Sequence, residues 1–299
     1  METTSEQLEW DDIRVFLATL RASSLRGAAE KLGVSHPTAR RRINALEERL
    51  GFRLFDRRPD GLHATPQAVE LQDAAEEVER AVFALGRAAQ AAEPQLRGPV
   101  RVTLPDMLAT DLLMPDLVEF SERWPDIELR IDASYGLADL AAREADIAVR
   151  GVPHGKLPQE DLAGRLVATV HKAVYGHGDH WIGWRGAKED AAWIADTPFP
   201  ELPVRGAMND AALQRAACAA GMGLTMLPCF LAEPLLPRRS EPVPSVDIWV
   251  LVHPDLRRSP RLRVFRDAMV AAIRRQRPRL EGRPGDVEGK AVSLAEAER

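Results

Sequence analysis

Apolar positions mark out the first third of the chain. From Trp10, Ile13, Phe16, Leu17 and Leu20 recur at spacings of three and four, which predicts an amphipathic helix with Asp11 or Asp12 placed to cap it. After Ser23-Ser24, the positions Leu25, Ala28, Ala29 and Leu32 repeat the pattern, and the two alanines allow another helix to approach closely. Gly33 supplies a left-handed stop, Ser35 an N-cap, and Pro37 a first-turn residue whose missing N–H costs nothing there. The third helix that follows has Ala39, Ile43, Leu46 and Leu50 as its apolar face. Beyond Gly51, the run Arg53 to Arg57, the turn signal Arg58-Pro59-Asp60-Gly61 and Leu62 to Ala64 predict a two-stranded hairpin. Thr65 then caps, and Pro66 opens, a long helix toward Glu93.

Within that long helix Leu71, Ala75, Val78, Val82, Leu85, Ala89 and Ala92 alternate spacings of four and three. This heptad seam suits a dimer contact through Leu71, Val78, Val82 and Leu85, and a helix packed on its own domain would read the same way. Pro94 to Pro99 is a breaker cluster, hence a hinge. After it come Val100–Leu104 as a strand, Asp111–Trp124 as a helix, Ile127–Ile131 as a strand, Leu137–Arg143 as a helix and Asp146–Arg150 as a strand. Such alternation predicts a parallel sheet with helices on its faces, which binds ligands outside the carboxyl ends of its strands. The loops Pro105–Thr110, Tyr135-Gly136 and Arg150–Val152 are the ones so placed. From Glu281 to Arg299 periodicity is lost, and a disordered tail is expected.

Composition narrows the class. At 299 residues, 45% hydrophobic and 28% charged, the chain has room for about two domains. Its net charge of -5 does not advertise a nucleic-acid binder, yet a basic stripe on an acidic body still makes a local footprint. Two cysteines exclude a disulfide framework and fit a reducing compartment. The first residues have neither a basic start nor an apolar core, and no apolar run is long enough for a membrane span, so a cytoplasmic place without membrane contact is expected.

The chemistry concentrates on the third helix. At 100° per residue Arg41 lies almost opposite the apolar face, with Thr38, Asn44 and Ala45 beside it and Arg40 and Arg42 on the flanks. Arginine pairs with guanine and asparagine with adenine in a major groove, although three arginines also suit a plain solvated face. The capped two-helix context favours the groove. Arg57 and Arg58 on the hairpin would meet phosphates, which positions the helix without reading sequence. His171, His177 and His180 either hold a metal or are ordinary loop histidines, and lacking cysteine or a spaced second pair they favour the latter; no metal is expected. Cys218 and Cys229 are either a redox pair or buried inert thiols, and neither has a basic neighbour to activate it. No catalytic constellation appears, so an enzyme is the weaker class.

The run Leu25-Arg26-Gly27-Ala28-Ala29, Leu32, Ser35-His36-Pro37, Arg41, Ile43, Leu46-Glu47, Leu50-Gly51, Leu54-Phe55, Arg57 and Thr65-Pro66 resembles the winged helix-turn-helix of LysR-type transcriptional regulators. It departs at His36, where the family commonly has Gln, and at Arg40, where a small Ser is usual. Farther on, Gly98-Pro99, Leu113-Met114-Pro115, Trp124-Pro125, Gly221–Leu224 with Leu227-Pro228, and Ser259-Pro260-Arg261 are similar to the family's effector domain, two α/β lobes resembling a periplasmic solute-binding protein. The span from Tyr175 to Met208, with Trp181, Trp184 and Trp193, is shorter than that pattern leads one to expect.

The resemblance implies a DNA head over residues 8–66, a linker helix and hinge over 67–97, an effector domain over 98–280 and a tail over 281–299. DNA contacts would come from Ser35, His36, Pro37, Thr38, Arg40, Arg41, Arg42, Asn44, Arg57 and Arg58. Effector contacts would come from Asp106, Met107, Thr110, Tyr135, Arg150, Met208, Asn209 and Asp210, a set that admits a carboxylate or a zwitterion. The implied partners are double-stranded promoter DNA, a small-molecule effector, further copies in a homodimer or homotetramer, and RNA polymerase; no cofactor is implied. A C-terminal domain that only assembles subunits is the alternative.

Overall fold

Short side-chain caps set the ends of the first helices. In the computed structural model, which describes residues 8–58, 61–92, 95–133, 145–158, 162–184 and 192–283, helices α1 (Trp10–Ala22), α2 (Leu25–Leu32) and α3 (His36–Leu50) open the chain. Ser24 Oγ accepts from the Gly27 amide at 3.0 Å to start α2, and Ser35 Oγ accepts from the Thr38 amide at 3.2 Å to start α3. Gly33 and Gly51 end these two helices at φ 66° and 77°, where a side chain would be strained. The cap expected at α1 is different: Glu9 occupies the N-cap without a side-chain bond, and Asp11 and Asp12 turn toward α3 instead.

Strands β1 (Phe55–Arg58) and β2 (Gly61–Ala64) form the antiparallel hairpin, Phe55 opposite Ala64 and Arg58 opposite Gly61. Thr65 Oγ1 donates to the Arg53 carbonyl at 2.9 Å and accepts from the Ala68 amide at 3.2 Å, joining the hairpin to α4 (Pro66–Ala92). The chain divides between Ala89 and Gln90 into two compact units. The core of the first contains Val15, Phe16, Leu17, Ala29, Ala39, Ile43, Leu46, Leu54 and Phe55, together with Ala68 and Ala75 of α4.

In the second unit eight strands make one sheet, in the order β4-β3-β5-β10-β6-β9-β7-β8. These are β3 (Gly98–Leu104), β4 (Ile127–Ala133), β5 (Ile147–Pro153), β6 (Ala163–Gly176), β7 (Trp181–Trp184), β8 (Val204–Met208), β9 (Leu224–Pro228) and β10 (Val243–Val252). Strand β3 runs parallel to β4 and β5, and β7 parallel to β8 and β9, as the alternating pattern predicts. The parallel expectation fails at β6 and β10, which pair antiparallel with each other and with β9 and β5 respectively. They carry the chain from one α/β lobe to the other and back, and bulges near Pro244 and Ile248 bend the return.

The helix expected over 111–124 begins earlier, as α5 (Asp106–Leu108) and a π-turn over Ala109–Leu113, before α6 (Met114–Arg123). The remaining helices are α7 (Ala192–Ala195), α8 (Ala211–Ala219), α9 (Cys229–Ala232), α10 (Pro260–Arg275) and α11 (Arg277–Leu280). The helix expected over 137–143 lies outside the described residues, as does the tail from 284. Aromatic rings pack the second lobe: Trp181, fully buried, meets Trp193 edge-on at 5.4 Å and donates Nε1–H to the Phe199 carbonyl at 2.9 Å. Trp184 stays 40% exposed.

Candidate functional site

Helix α3 presents one polar side to solvent. Ala39, Ile43 and Leu46 are buried, whereas Ser35, His36, Pro37, Arg40, Arg41 and Asn44 are exposed, with Thr38 half-buried. The Thr38 hydroxyl lies 2.8 Å from Ser35 Oγ, so these two side chains tie down the helix start. Arg40, Asn44 and Glu48 line an open groove of about 1000 Å³ whose other wall is Arg53, Asp56, Arg57 and Arg58. Arg57 and Arg58 are exposed.

Glu47, part of the motif but given no role by the sequence, holds the two walls together. Its Oε1 accepts from the Leu54 amide at 2.7 Å and the Phe55 amide at 3.2 Å, so the recognition helix itself anchors the start of the hairpin. A carboxylate accepting two backbone N–H groups is a charge-assisted contact, which sets the groove's width more firmly than apolar packing alone.

Arg42, expected with the DNA-facing arginines, is half-buried and ion-paired toward α1. Its Nη1 donates to Asp12 Oδ1 at 3.1 Å and its Nη2 to Asp11 Oδ2 at 3.0 Å. Arg49, one heptad on, donates to the other oxygen of Asp12, which is only 2% exposed. Two guanidiniums on one buried carboxylate satisfy its lone pairs and fix the rotation of α3 on α1. A periodicity of 100° cannot reveal this, because the partner lies 30 residues upstream.

Helix α4 has two apolar faces. Ala68, Leu71 and Ala75 pack into the head core, Glu79 receives both Nη groups of Arg21 at 2.6 and 3.0 Å, and Phe83 meets Trp10 edge-on at 6.2 Å. Leu71 thus turns inward. Ala74, Val78, Ala81, Leu85 and Ala88 are exposed at spacings of four and three, with Leu85 74% exposed, and Val82 is half-buried.

In the second unit the Asp106 carboxylate accepts from the Met107 amide at 2.7 Å, Met107 rests against the core, and Thr110 Oγ1 donates to the Asp106 carbonyl at 3.0 Å. Across the joint between lobes, Asp111 meets Arg215 of α8 at 2.6 Å, a pair that no sequence signal marked. Asp210 caps α8 by accepting from the Leu213 amide at 2.7 Å, and Met208 and Asn209 precede it at the end of β8. Arg150 is buried in β5, and Tyr135 lies outside the described residues. Burial pushes the Cys218 thiol up to about 11 and raises Cys229 also, and both are free cysteines, so neither is an activated thiolate. No helix among the described residues is long and apolar enough to cross a membrane.

Two family descriptions match the chain: "Bacterial regulatory helix-turn-helix protein, lysR family" over residues 10–69, and "LysR substrate binding domain" over residues 93–274. A relative from Paracoccus denitrificans, the Mau operon transcriptional activator, is 28% identical over 85% of this chain and 92% of its own length. An HTH-type transcriptional regulator of Xanthomonas campestris pv. campestris is 30% identical over 55% of this chain, which spans 47% of that protein. The full-length structure of the Vibrio cholerae virulence activator AphB shares the fold, with a TM-score of 0.53, 19% identity, and coverage of 88% of this chain and 99% of that one.

Proposed function

We propose that this chain, which belongs to the LysR family of bacterial transcriptional regulators, reads its promoter with Arg40, Arg41 and Asn44 while Arg57 and Arg58 hold the flanking phosphates. As a member it is a DNA-binding regulator with an effector-binding domain. The observation that carries the assignment of roles is the exposed groove that Arg40 and Asn44 of α3 line together with Arg57 and Arg58 of the hairpin, with Arg41 exposed on the same helix outside it. Ser35, His36, Pro37 and Thr38 form the end of α3 nearest the bases, where helix N-termini of this kind enter the major groove. The domain bounds follow as head 8–66, linker 67–97 and effector domain 98–280, working in the cytoplasm with RNA polymerase as the downstream partner.

Two heads side by side would read successive half-sites, and the outward seam of α4 through Val78 and Leu85 supports that pairing. Leu85→Glu is expected to shift the sedimenting species toward monomer; an unchanged assembly state would remove this seam from the dimer. The effector contacts we assign are Asp106, Met107 and Thr110 on the first lobe and Met208 with Asn209 on the second. Asp210 supports them as a helix cap.

The test of the DNA reading is to select preferred duplexes from a random pool and measure their affinity against salt. Counterion release predicts a steep fall of affinity with rising salt and retention of a large preference over random duplex. A flat salt response would falsify the assignment.

A further inference from the structure

We propose that Arg257, Arg258, Arg263 and Arg274 of the second unit form a further contact for duplex DNA, one that grips phosphates flanking the site read by the heads. This rests on the DNA reading of the head and adds to it a surface of the other unit. Between Arg257 and Arg283 the chain places ten arginines and no lysine against two acids, Asp267 and Glu281, in a protein whose net charge is -5. The structure sorts these arginines. Arg266 donates to Asp267 at 2.9 Å, Arg275 reaches Asp116, Arg283 lies 3.0 Å from Glu281, and Arg261 is buried on the Pro99 carbonyl. Arg257, Arg258, Arg263 and Arg274 are exposed, and among the described residues no carboxylate forms an ion pair with any of them.

Helix stability does not account for the cluster. Arg274 sits in the last turn of α10, where the negative end of the helix dipole favours a cation. Arg257 and Arg258 come just before the N-cap Ser259, and Arg263 closes the first turn, where the dipole is positive. Three cations gathered at the positive end of a helix oppose its stability, and an anion arriving there is attracted by the arginines and the dipole together.

Spacing selects the kind of anion. Arg263 and Arg274 are eleven residues apart, so they project from the same side of α10 with about 16 Å between them. One small anion cannot bridge that distance, whereas a polyanion charged along its length can. No large apolar side chain between Arg257 and Arg283 is exposed, which removes both the apolar centre that a protein partner would bury and the apolar face that a membrane surface would take up. Guanidinium groups pair with phosphate through two parallel hydrogen bonds, and a duplex supplies closely spaced phosphates on two strands. Flanking DNA is the polyanion that the heads already hold, so its local concentration is high without a separate encounter.

The experiment measures the affinity of the full chain, against salt, for the shortest duplex that the heads bind specifically and for the same duplex lengthened by random sequence of about three helical turns on each side. The fourfold variant R257Q/R258Q/R263Q/R274Q is the second arm, and vesicles of phosphatidylserine and phosphatidylcholine are the third. On the lengthened duplex the unsubstituted protein should bind at least about tenfold more tightly than the variant, with a plot of log affinity against log salt steeper by about 3, since each phosphate contact contributes about 0.9. On the shortest duplex the two proteins should match, which also shows that the variant is folded with its heads intact. The proposal is overturned by equal affinity and slope on the lengthened duplex, by a loss of the same size on both duplexes, or by vesicle binding that the variant loses while its DNA binding is unchanged. No gain from the flanks in the unsubstituted protein overturns it without any variant. Specific, salt-dependent binding of the shortest duplex with no flank effect discards this surface alone, whereas its absence discards the reading of the heads and this proposal with it.

Discussion

The arginines of α3 and the arginine of β5 are placed in opposite ways. Arg40 and Arg41 stand in solvent, where an unpaired guanidinium is stabilised by water and screened by salt. Arg150 is enclosed by its sheet, where the same group loses its water and, among the described residues, donates to the Thr103 hydroxyl and the Val149 carbonyl, with the charge of Asp132 acting on it from beyond hydrogen-bond contact. The exposed placement suits a duplex. A duplex brings dense charge and many contacts, so its receptors can wait exposed. Between these extremes stands Arg42, exposed enough to have served the first role but held by Asp11 and Asp12 in a structural one.

The contrast is tested most strongly at Arg41. If it reads a base edge, Arg41→Ala should weaken specific binding by about 1–3 kcal/mol, measured as the ratio of affinities for selected and random duplex. An unchanged ratio would move Arg41 to the phosphate-binding group. Next comes Glu47→Ala, which strips the acceptor from two amides at the hairpin start and should lower the head's stability by about 1–3 kcal/mol in urea unfolding. Glu47→Gln, which keeps an acceptor, should recover most of that loss. Ser35→Ala removes one cap and should cost about 1 kcal/mol by the same measurement. The smallest effect lies in the salt dependence. Arg57→Ala should reduce the slope of log affinity against log salt by about 1, whereas Arg42→Ala should leave it unchanged. A drop at Arg42 would mean that Asp12 releases it to the DNA.

Much of the head was legible from the sequence because its signals are local. Ser35, Pro37, Gly33 and Gly51 act within one turn of their own position, and the structure puts α3 between them. The π-turn over Ala109–Leu113 left no such mark, since the apolar spacing of Leu112 and Leu113 also fits an ordinary helix. The seam expected on α4 runs partly into the head core, through Leu71 and Ala75. Leu71 and Ala75 satisfy a heptad as well as Ala74 and Ala81 do, and only the head core decides which pair is covered.

Spacing and capping residues settled, before any folding partner is considered, where helices start and stop, where the hairpin turns, and that basic residues crowd the outer side of one helix. Each of those signals acts within a few residues of itself. Packing across the chain settled the rest: which of three consecutive arginines is withdrawn from that side, that two strands of the sheet run against the others, and that Arg150 is buried with its guanidinium on the Thr103 hydroxyl. Those outcomes depend on partners brought together across tens of residues, and no local period encodes the charge that packing will place beside a side chain.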